Sequence, residues 1–474
     1  MVGFGHRIGR TLRVPGRGMR RSIVLLVVLV TAGATGSAVA LSTPSVIAAL
    51  HPTPVADAQP ALPRLALGPL VATAPVPTVA GLTTALGKPA DAVPGTFTGV
   101  VLDPASNQVL WQRTPGNPLV PGSTAKLITT AAALLTLNPT SSLVTKVVAG
   151  GEPGAVVLVG GGDPTLTALP PGKATVYPDP TRLSVLADQV KKATGGRITK
   201  VMIDTTRYRG PGLAPGWDEG DIAGGNITPI TPLMLDGGRI DPTQQDGARV
   251  PDPAQQAGLA FAKLLGVGRG AVVPGTAPPN AEVLGTVTSA PVAELVETLL
   301  QKSDNVLAEV LARETAIARG GEPSFDGAVE ATMAALTQAG IPTAGAAMVD
   351  GSGLSTQDRV PAQLLAALVA AAAAPAQGPV DTEFLRPVLT GLPVAGGDGT
   401  LEDRFAPGLD SSAGRGVVRA KTGTLTTASS LAGVVVDADQ RLLVFAFMSN
   451  GALPLRTRPK LDDLAAELSR CGCR

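Results

Sequence analysis

The chain has 474 residues, 44% of them apolar and 16% charged, enough to bury a large core in two or three domains and too rich in core residues for a linker or tail. Its formal net charge of +1 rests on six arginines, Arg7, Arg10, Arg13, Arg17, Arg20 and Arg21, the only charged side chains before Asp57. The remainder of the chain is mildly acidic and, with 3% aromatic residues, lacks the basic face and stacking groups of a nucleic-acid binder, so no nucleic-acid partner is expected.

The arginines precede an apolar run from Ile23 to Val30 that thins into Ala38-Val39-Ala40. A basic start, a short apolar stretch and a small-x-small site are the layout of a secretory signal. The segment 22–41 is also just long enough to span a bilayer, so residues 1–41 read as a signal peptide or a membrane anchor. Both readings place the body outside the cytoplasm, in the cell envelope, with membrane contact through the N-terminal segment alone. Residues 42–94 are dominated by Ala, Pro, Val and Thr and read as an extended, semi-rigid linker.

Order is expected from about residue 95. Two β-like runs, TFTGVVLD and QVLWQR, flank Asp103-Pro104-Ala105-Ser106-Asn107 as a hairpin. Next comes VPGSTAKLITTAAALLTL, a helix whose start carries Ser123 and Lys126; taken alone, Ser123 reads as a helix cap. Residues 144–280 have another texture, short strands such as AVVLVGGGD and ITKVMIDTT around the helix-like TRLSVLADQVKKATGG with long Gly/Pro loops, and read as an inserted α+β domain. Helical periodicity returns in APVAELVETLLQKSDNVLAEVLARETAIARGG, broken at Lys302-Ser303-Asp304-Asn305, a polar joint between two amphipathic helices. Three β runs then follow from Val417 to Asn450, the first opening on Lys421-Thr422-Gly423-Thr424, and KLDDLAAELSR closes the chain as a helix.

Histidine occurs only at positions 6 and 51, before the folded body, so a Ser-His-Asp triad and a His-ligated zinc are not expected there. The only cysteines, Cys471 and Cys473, lie in the terminal CGCR and suggest a local or intermolecular disulfide rather than a metal site. No cofactor is expected. An amide-attacking serine then needs another base, and a lysine three residues on along a helix shares its face. Lys126 is the leading base for Ser123, provided burial or a neighbouring cation such as Lys421 lowers its pKa.

Ser-x-x-Lys at a helix start, Ser-x-Asn between helices and Lys-Thr-Gly on a late strand are each weak signals, but their conjunction in this order is not. With these motifs, GGGDPTL, VDGSGLS and GTLEDRF, the chain resembles the peptidase S13 family, the low-molecular-mass class C penicillin-binding proteins, from about Gly95 to Ser469. The resemblance implies a penicillin-binding-protein/serine β-lactamase-like α+β fold. An antiparallel sheet flanked by helices and an all-helical subdomain would come from residues 95–143 and 281–474, with the α+β domain inserted at 144–280. It implies a serine D-Ala-D-Ala carboxypeptidase and/or endopeptidase acting on peptidoglycan stem peptides through a Ser123 acyl-enzyme, with β-lactams as covalent inhibitors. By the same resemblance Ser303 shuttles a proton between Lys126 and the leaving amine. Asn305 holds the acyl-side amide, while Lys421, Thr422 and Thr424 receive the substrate carboxylate. Gly423 admits close approach, and the Ser123 and Thr424 amides form the oxyanion hole. Trp217 reads as a domain anchor, with Asp218 and Asp221 beside it as candidates for a side-chain pocket; Arg404 has no assigned role beyond an ion pair. The rival readings are a serine β-lactamase, against which the lack of a Glu-x-x-Leu-Asn loop argues, and a non-catalytic wall-binding module, against which three intact motifs argue.

Overall fold

The structure is a computed structural model that describes residues 73–373 and 382–474. The expected export segment and the linker up to residue 72 lie outside the described residues. Among the described residues, no helix is long and apolar enough to cross a membrane.

In chain order, helix α1 (Val79–Asp91) leads into strands β1 (Thr96–Asp103) and β2 (Gln108–Arg113) and helix α2 (Lys126–Thr136). Strands β3 (Ser142–Ala149) and β4 (Ala155–Val159), helix α3 (Leu183–Thr194), strand β5 (Lys200–Asp204), helix α4 (Pro253–Leu265) and strands β6 (Val272–Pro274) and β7 (Val283–Pro291) follow. Then come four helices, α5 (Val292–Lys302), α6 (Asn305–Ala318), α7 (Phe325–Gln338) and α8 (Ala362–Ala373). Strands β8 (Val418–Leu425), β9 (Ala428–Val436) and β10 (Leu442–Asn450) and helix α9 (Pro454–Arg470) complete the chain.

The main sheet runs β8-β9-β10-β1-β2, antiparallel throughout, with Val100 opposite Ala446 and Lys421 opposite Ala432. Its strands are apolar on both faces because both are covered. With the two-residue period of a strand, Phe97, Val101, Leu431 and Phe445 pack on α1 and α9, while Val100, Ala432, Val444 and Ala446 pack on the helical side. Residues 79–91, which composition placed in the linker, are thus a helix docked on the sheet. Leu82, Leu86 and Ala90 recur at helical spacing and are buried, and Thr78 caps the first turn.

The inserted part has its own core. Its sheet runs β6-β5-β4-β3-β7; β4, β5 and β6 are mutually parallel, and β3 is antiparallel to β4 and β7. Helices α3 and α4 cover it through Leu186, Val190 and Phe261. Glycines in the left-handed conformation, Gly195 and Gly266, end both helices. Strand β7 pairs with β3, Val144 opposite Thr288, so this sheet draws a strand from beyond residue 280. That strand runs directly into α5 with no change in composition between them, which is why the sequence carries no boundary there.

Candidate active site

Ser123 does not cap α2. It sits in a single 3₁₀ turn, Gly122–Ala125, that leads into the helix, and its side chain makes no capping bond. In a 3₁₀ turn residues i and i+3 eclipse one another, which sets Lys126 directly over Ser123. Lys126 Nζ donates to Ser123 Oγ at 2.8 Å, to Asn305 Oδ1 at 2.5 Å and to the Ser352 carbonyl at 2.7 Å. Its amine has three short acceptors and is fully buried, whereas Ser123 keeps one side open to the cleft.

The turn is held against β8. Ser430 on β9 donates to the Pro121 carbonyl at 2.5 Å and lies 3.0 Å from Thr124 Oγ1, which also bonds Pro121 O. Gly423 is required by this approach: a Cβ there would collide with Ser430 Oγ and the Pro121 carbonyl and lie 3.1 Å from the Ser123 amide nitrogen.

The polar break between α5 and α6 is where Ser303 and Asn305 sit, and the helix cap falls to Asp304, whose Oδ1 accepts from Leu307 N at 2.9 Å. Ser303 and Asn305 are thereby left free of capping. Ser303 takes a left-handed conformation, φ 57° and ψ 36°, that costs a non-glycine residue about 1–2 kcal/mol and aims its hydroxyl back at β8. There Lys421 Nζ donates to Ser303 Oγ at 2.8 Å and to the Thr422 carbonyl at 2.9 Å. The bond to Ser303 thus comes from Lys421, where the sequence anticipated Lys126.

Burial pushes the Lys126 amine down to about 8, against the nearby charges of Asp350, Glu309, Asp304 and Asp358, which raise it. Burial also drives Lys421 well below the ordinary lysine value, and the charge of Lys126 drives it further. The expectation that Lys421 depresses Lys126 is therefore corrected: desolvation dominates at Lys126, and the repulsion falls on Lys421. Nor does Lys421 line the cleft. It is fully buried beneath it, and Thr424 is the exposed member of its motif.

The cleft is about 710 Å³ and is walled by Ser123, Ser303, Asn305, Thr424, Thr400 and Asp221 among others. Thr422 Oγ1 donates to Thr400 Oγ1 at 2.9 Å. Asp221 lies on the wall and accepts from Asn226 Nδ2 at 2.9 Å, whereas Asp218 lies outside the cleft, where its Oδ1 accepts from Gly220 N at 2.7 Å. Trp217 packs edge-on against Phe325 and donates to Asp350 Oδ2 at 2.7 Å, anchoring the inserted part to the VDGSGLS loop. Arg404 forms a buried two-point ion pair with Asp462 on α9, away from the cleft.

Several residues here were not legible as site residues in the sequence. Asp350 gathers the VDGSGLS loop, accepting from the amides of Ser352, Gly353 and Ser355 at 2.7–3.1 Å, and so places the carbonyl that Lys126 bonds. An acid before a Gly-Ser-Gly run signals a turn. It does not say which carbonyl the turn presents, nor do Asn226, Thr400 and Ser430 stand in any pattern.

A nucleophile with a lysine base and a serine-lysine pair opposite it suits acyl transfer through a serine ester. The family model for the D-Ala-D-Ala carboxypeptidase 3 (S13) family matches residues 80–248 and 242–469. The chain belongs to this family. This S13 protein is 44% identical over 423 residues to carboxypeptidase Rv3627c of Mycobacterium tuberculosis, covering 89% of this chain and 90% of the relative. It is 46% identical over 414 residues to carboxypeptidase DacB of Mycolicibacterium smegmatis, covering 85% and 87%. Its fold matches the crystal structure of penicillin binding protein 4 from Haemophilus influenzae with a TM-score of 0.65 at 20% identity, over 83% of this chain and 99% of that one. The fold is thus the α+β penicillin-binding-protein fold, and the S13 chain is a serine-type D-Ala-D-Ala peptidase, a hydrolase.

Proposed function

We propose that this S13 peptidase works outside the cytoplasm on peptidoglycan stem peptides, through an ester on Ser123, and that β-lactams trap the same ester. The observation that carries the assignment is the 2.8 Å bond between Lys126 Nζ and Ser123 Oγ, made by an amine whose burial favours its neutral form. Neutral Lys126 takes the Ser123 proton as Oγ attacks the carbonyl carbon of the penultimate D-alanine. The oxyanion forms at the mouth of the 3₁₀ turn, where the Ser123 and Thr424 amides supply donors. As the C–N bond breaks, the leaving amine takes the Ser303 hydroxyl proton, and Ser303 regains one from Lys421, to which it is already bonded. Asn305 steadies the acyl-side amide, and Thr422, Thr424 and Thr400 receive the terminal carboxylate, with the Lys421 charge beneath them. Water then cleaves the ester and returns Ser123 to its resting state. Asp221, on the cleft wall, would meet the stem-peptide side chain.

A β-lactam offers a strained amide beside a carboxylate, and its tethered leaving amine stays near the ester. The arginine-flanked apolar segment 22–41 supports export, as a cleaved signal or an anchor. The deciding experiment incubates the protein and Ser123→Ala with a D-Ala-D-Ala pentapeptide and with penicillin, following free D-alanine and opened β-lactam. D-alanine release with slow, stoichiometric penicillin consumption, both lost in Ser123→Ala, is the expected result. Rapid turnover of penicillin without D-alanine would make the chain a β-lactamase.

A further inference from the structure

Resting on that reading, we propose that Arg239 of the inserted domain is a positioning residue for the reaction: through Asp304 it holds Ser303 and Asn305 in their working places. Asp304 lies between the two and is fully buried, and all its bonds beyond the helix cap go to the inserted domain. Its Oδ2 accepts from Arg239 Nη2 at 2.9 Å and from Tyr177 OH at 2.9 Å. Arg239 is itself buried and oriented from every side. Nη1 donates to Tyr177 OH and to the Asp236 carbonyl, both at 3.0 Å, Nε donates to the Gln245 carbonyl at 3.1 Å, and the guanidinium lies 5.1 Å from the centre of the Tyr177 ring.

Two more bonds from the same part of the chain reach the same joint. Gln245 Nε2 donates to the Lys302 carbonyl at 3.3 Å, and Asn305 Nδ2 donates to the Asn226 carbonyl at 2.9 Å. The second of these leaves Asn305 Oδ1 as the acceptor for Lys126, so it fixes the orientation of the amide as well as its place. From Lys302 to Asn305, only Ser303 has no bond of its own to the inserted domain, and it is the residue in the left-handed conformation. A strained residue keeps its geometry when its neighbours are over-determined. A planar two-donor cation fits that task, because it fixes a carboxylate in direction as well as in distance.

The alternative is that the ion pair only holds two domains together. Removing Arg239 alone would leave a buried, unpaired carboxylate and would confound the two roles. The test is therefore the double variant Arg239→Met/Asp304→Asn. It leaves no buried charge, and asparagine preserves the cap on Leu307 N. Tyr177→Phe serves as a second, milder variant that removes a single hydroxyl. Acylation by a chromogenic β-lactam is resolved into the affinity of the initial complex and the rate constant for ester formation, alongside melting temperature and the parent protein. The expected result is a fall of about tenfold or more in the rate constant for the double variant and about threefold for Tyr177→Phe, with initial affinity changed less than about threefold. Rate constants within about twofold of the parent in both variants would overturn the proposal, as would loss of initial affinity at an unchanged rate constant. If the double variant does not fold, Tyr177→Phe decides by the same criterion. Failure of the parent protein to acylate at Ser123 would instead defeat the reading on which this proposal rests.

Discussion

Lys421 Nζ donates a hydrogen bond to Ser303 Oγ across 2.8 Å, linking the strand that carries one motif to the helix joint that carries another. With the 2.8 Å bond from Lys126 to Ser123, it gives the cleft two serine-lysine pairs. Both amines are buried, and the charge of Lys126 works against protonation of Lys421. Two ammonium groups held together in this dry region repel each other strongly, so the site favours states with fewer than two. A proton leaving Ser123 and a proton arriving at the leaving amine are then parts of one circuit.

The two lysines are separable by mutation. Lys126→Met removes the base and should slow acylation by a penicillin about a thousandfold, within the usual range for general base catalysis, while the fold stays intact because a buried amine is lost. Lys421→Met leaves the base in place, deprives Ser303 of its donor and takes a positive charge from beneath the carboxylate site, and should slow peptide turnover about a hundredfold. Stopped-flow acylation and D-alanine release measure the two. Acylation of Lys126→Met at the parent rate would hand the proton to another group.

Acylation should titrate with Lys126. The base works in its neutral form, and burial places that transition at about 8, below the ordinary 10.5. The acylation efficiency should therefore rise about tenfold per pH unit on the acid side and level off above about pH 8. A profile that is flat from about pH 6 to about pH 9 would mean that proton removal by Lys126 does not limit the step.

Gly423→Ala tests the close approach of the 3₁₀ turn to β8. The added methyl meets Ser430 Oγ and the Pro121 carbonyl, neither of which is the free end of a flexible chain. The expected cost is about 1–3 kcal/mol of stability, read from denaturant melts, together with loss of penicillin labelling as the Ser123 amide is pushed aside. Unchanged labelling would place the oxyanion donors elsewhere.

The strongly periodic elements were legible in the sequence. Helices α5 and α6 and the polar joint between them follow from apolar spacing, and the three late strands from uninterrupted β-branched and aromatic runs. Helix α1 was not, because its Ala, Gly, Thr and Pro content matches the linker before it and only Leu82 and Leu86 mark a buried face. The motif side chains could be named because serine, lysine and asparagine carry the chemistry themselves. What escaped was backbone and support: the Ser352 carbonyl, the left-handed turn at Ser303, and the Arg239 and Tyr177 groups behind Asp304. These lie 65 and 127 residues from Asp304 in sequence and meet it only once both domains have folded.

Arg404 separates structure from catalysis. It lies in the GTLEDRF stretch but is 9% exposed and paired with Asp462 on α9. Arg404→Ala would strand that carboxylate in a buried place and should cost about 3–5 kcal/mol, with acylation of the folded fraction unchanged. A stable Arg404→Ala protein with impaired acylation would return the residue to the site.

Asp358 offers a stability test with a defined sign. Its carboxyl is fully buried near the VDGSGLS loop, with Oδ1 accepting from Val349 N at 2.8 Å. Burial first, and the adjacent Asp350 charge second, push its pKa well above the ordinary 3.8. Over the interval above about pH 4 the unfolded chain has released this proton and the folded chain still holds it, so the folded state binds more protons and stability falls as pH rises. Asp358→Asn keeps the acceptor for Val349 N, supplies a donor toward Asp350 and cannot ionise, so it is exempt from that fall. Urea melts of parent and variant at about pH 4.5 and about pH 8 should show near-equal stability at the first. The variant should gain at the second, by at most about 1.4 kcal/mol for each pH unit crossed. A difference that stays constant, or that favours the parent as pH rises, would show that Asp358 is ionised in the folded protein and that its charge is offset by a partner in the loop.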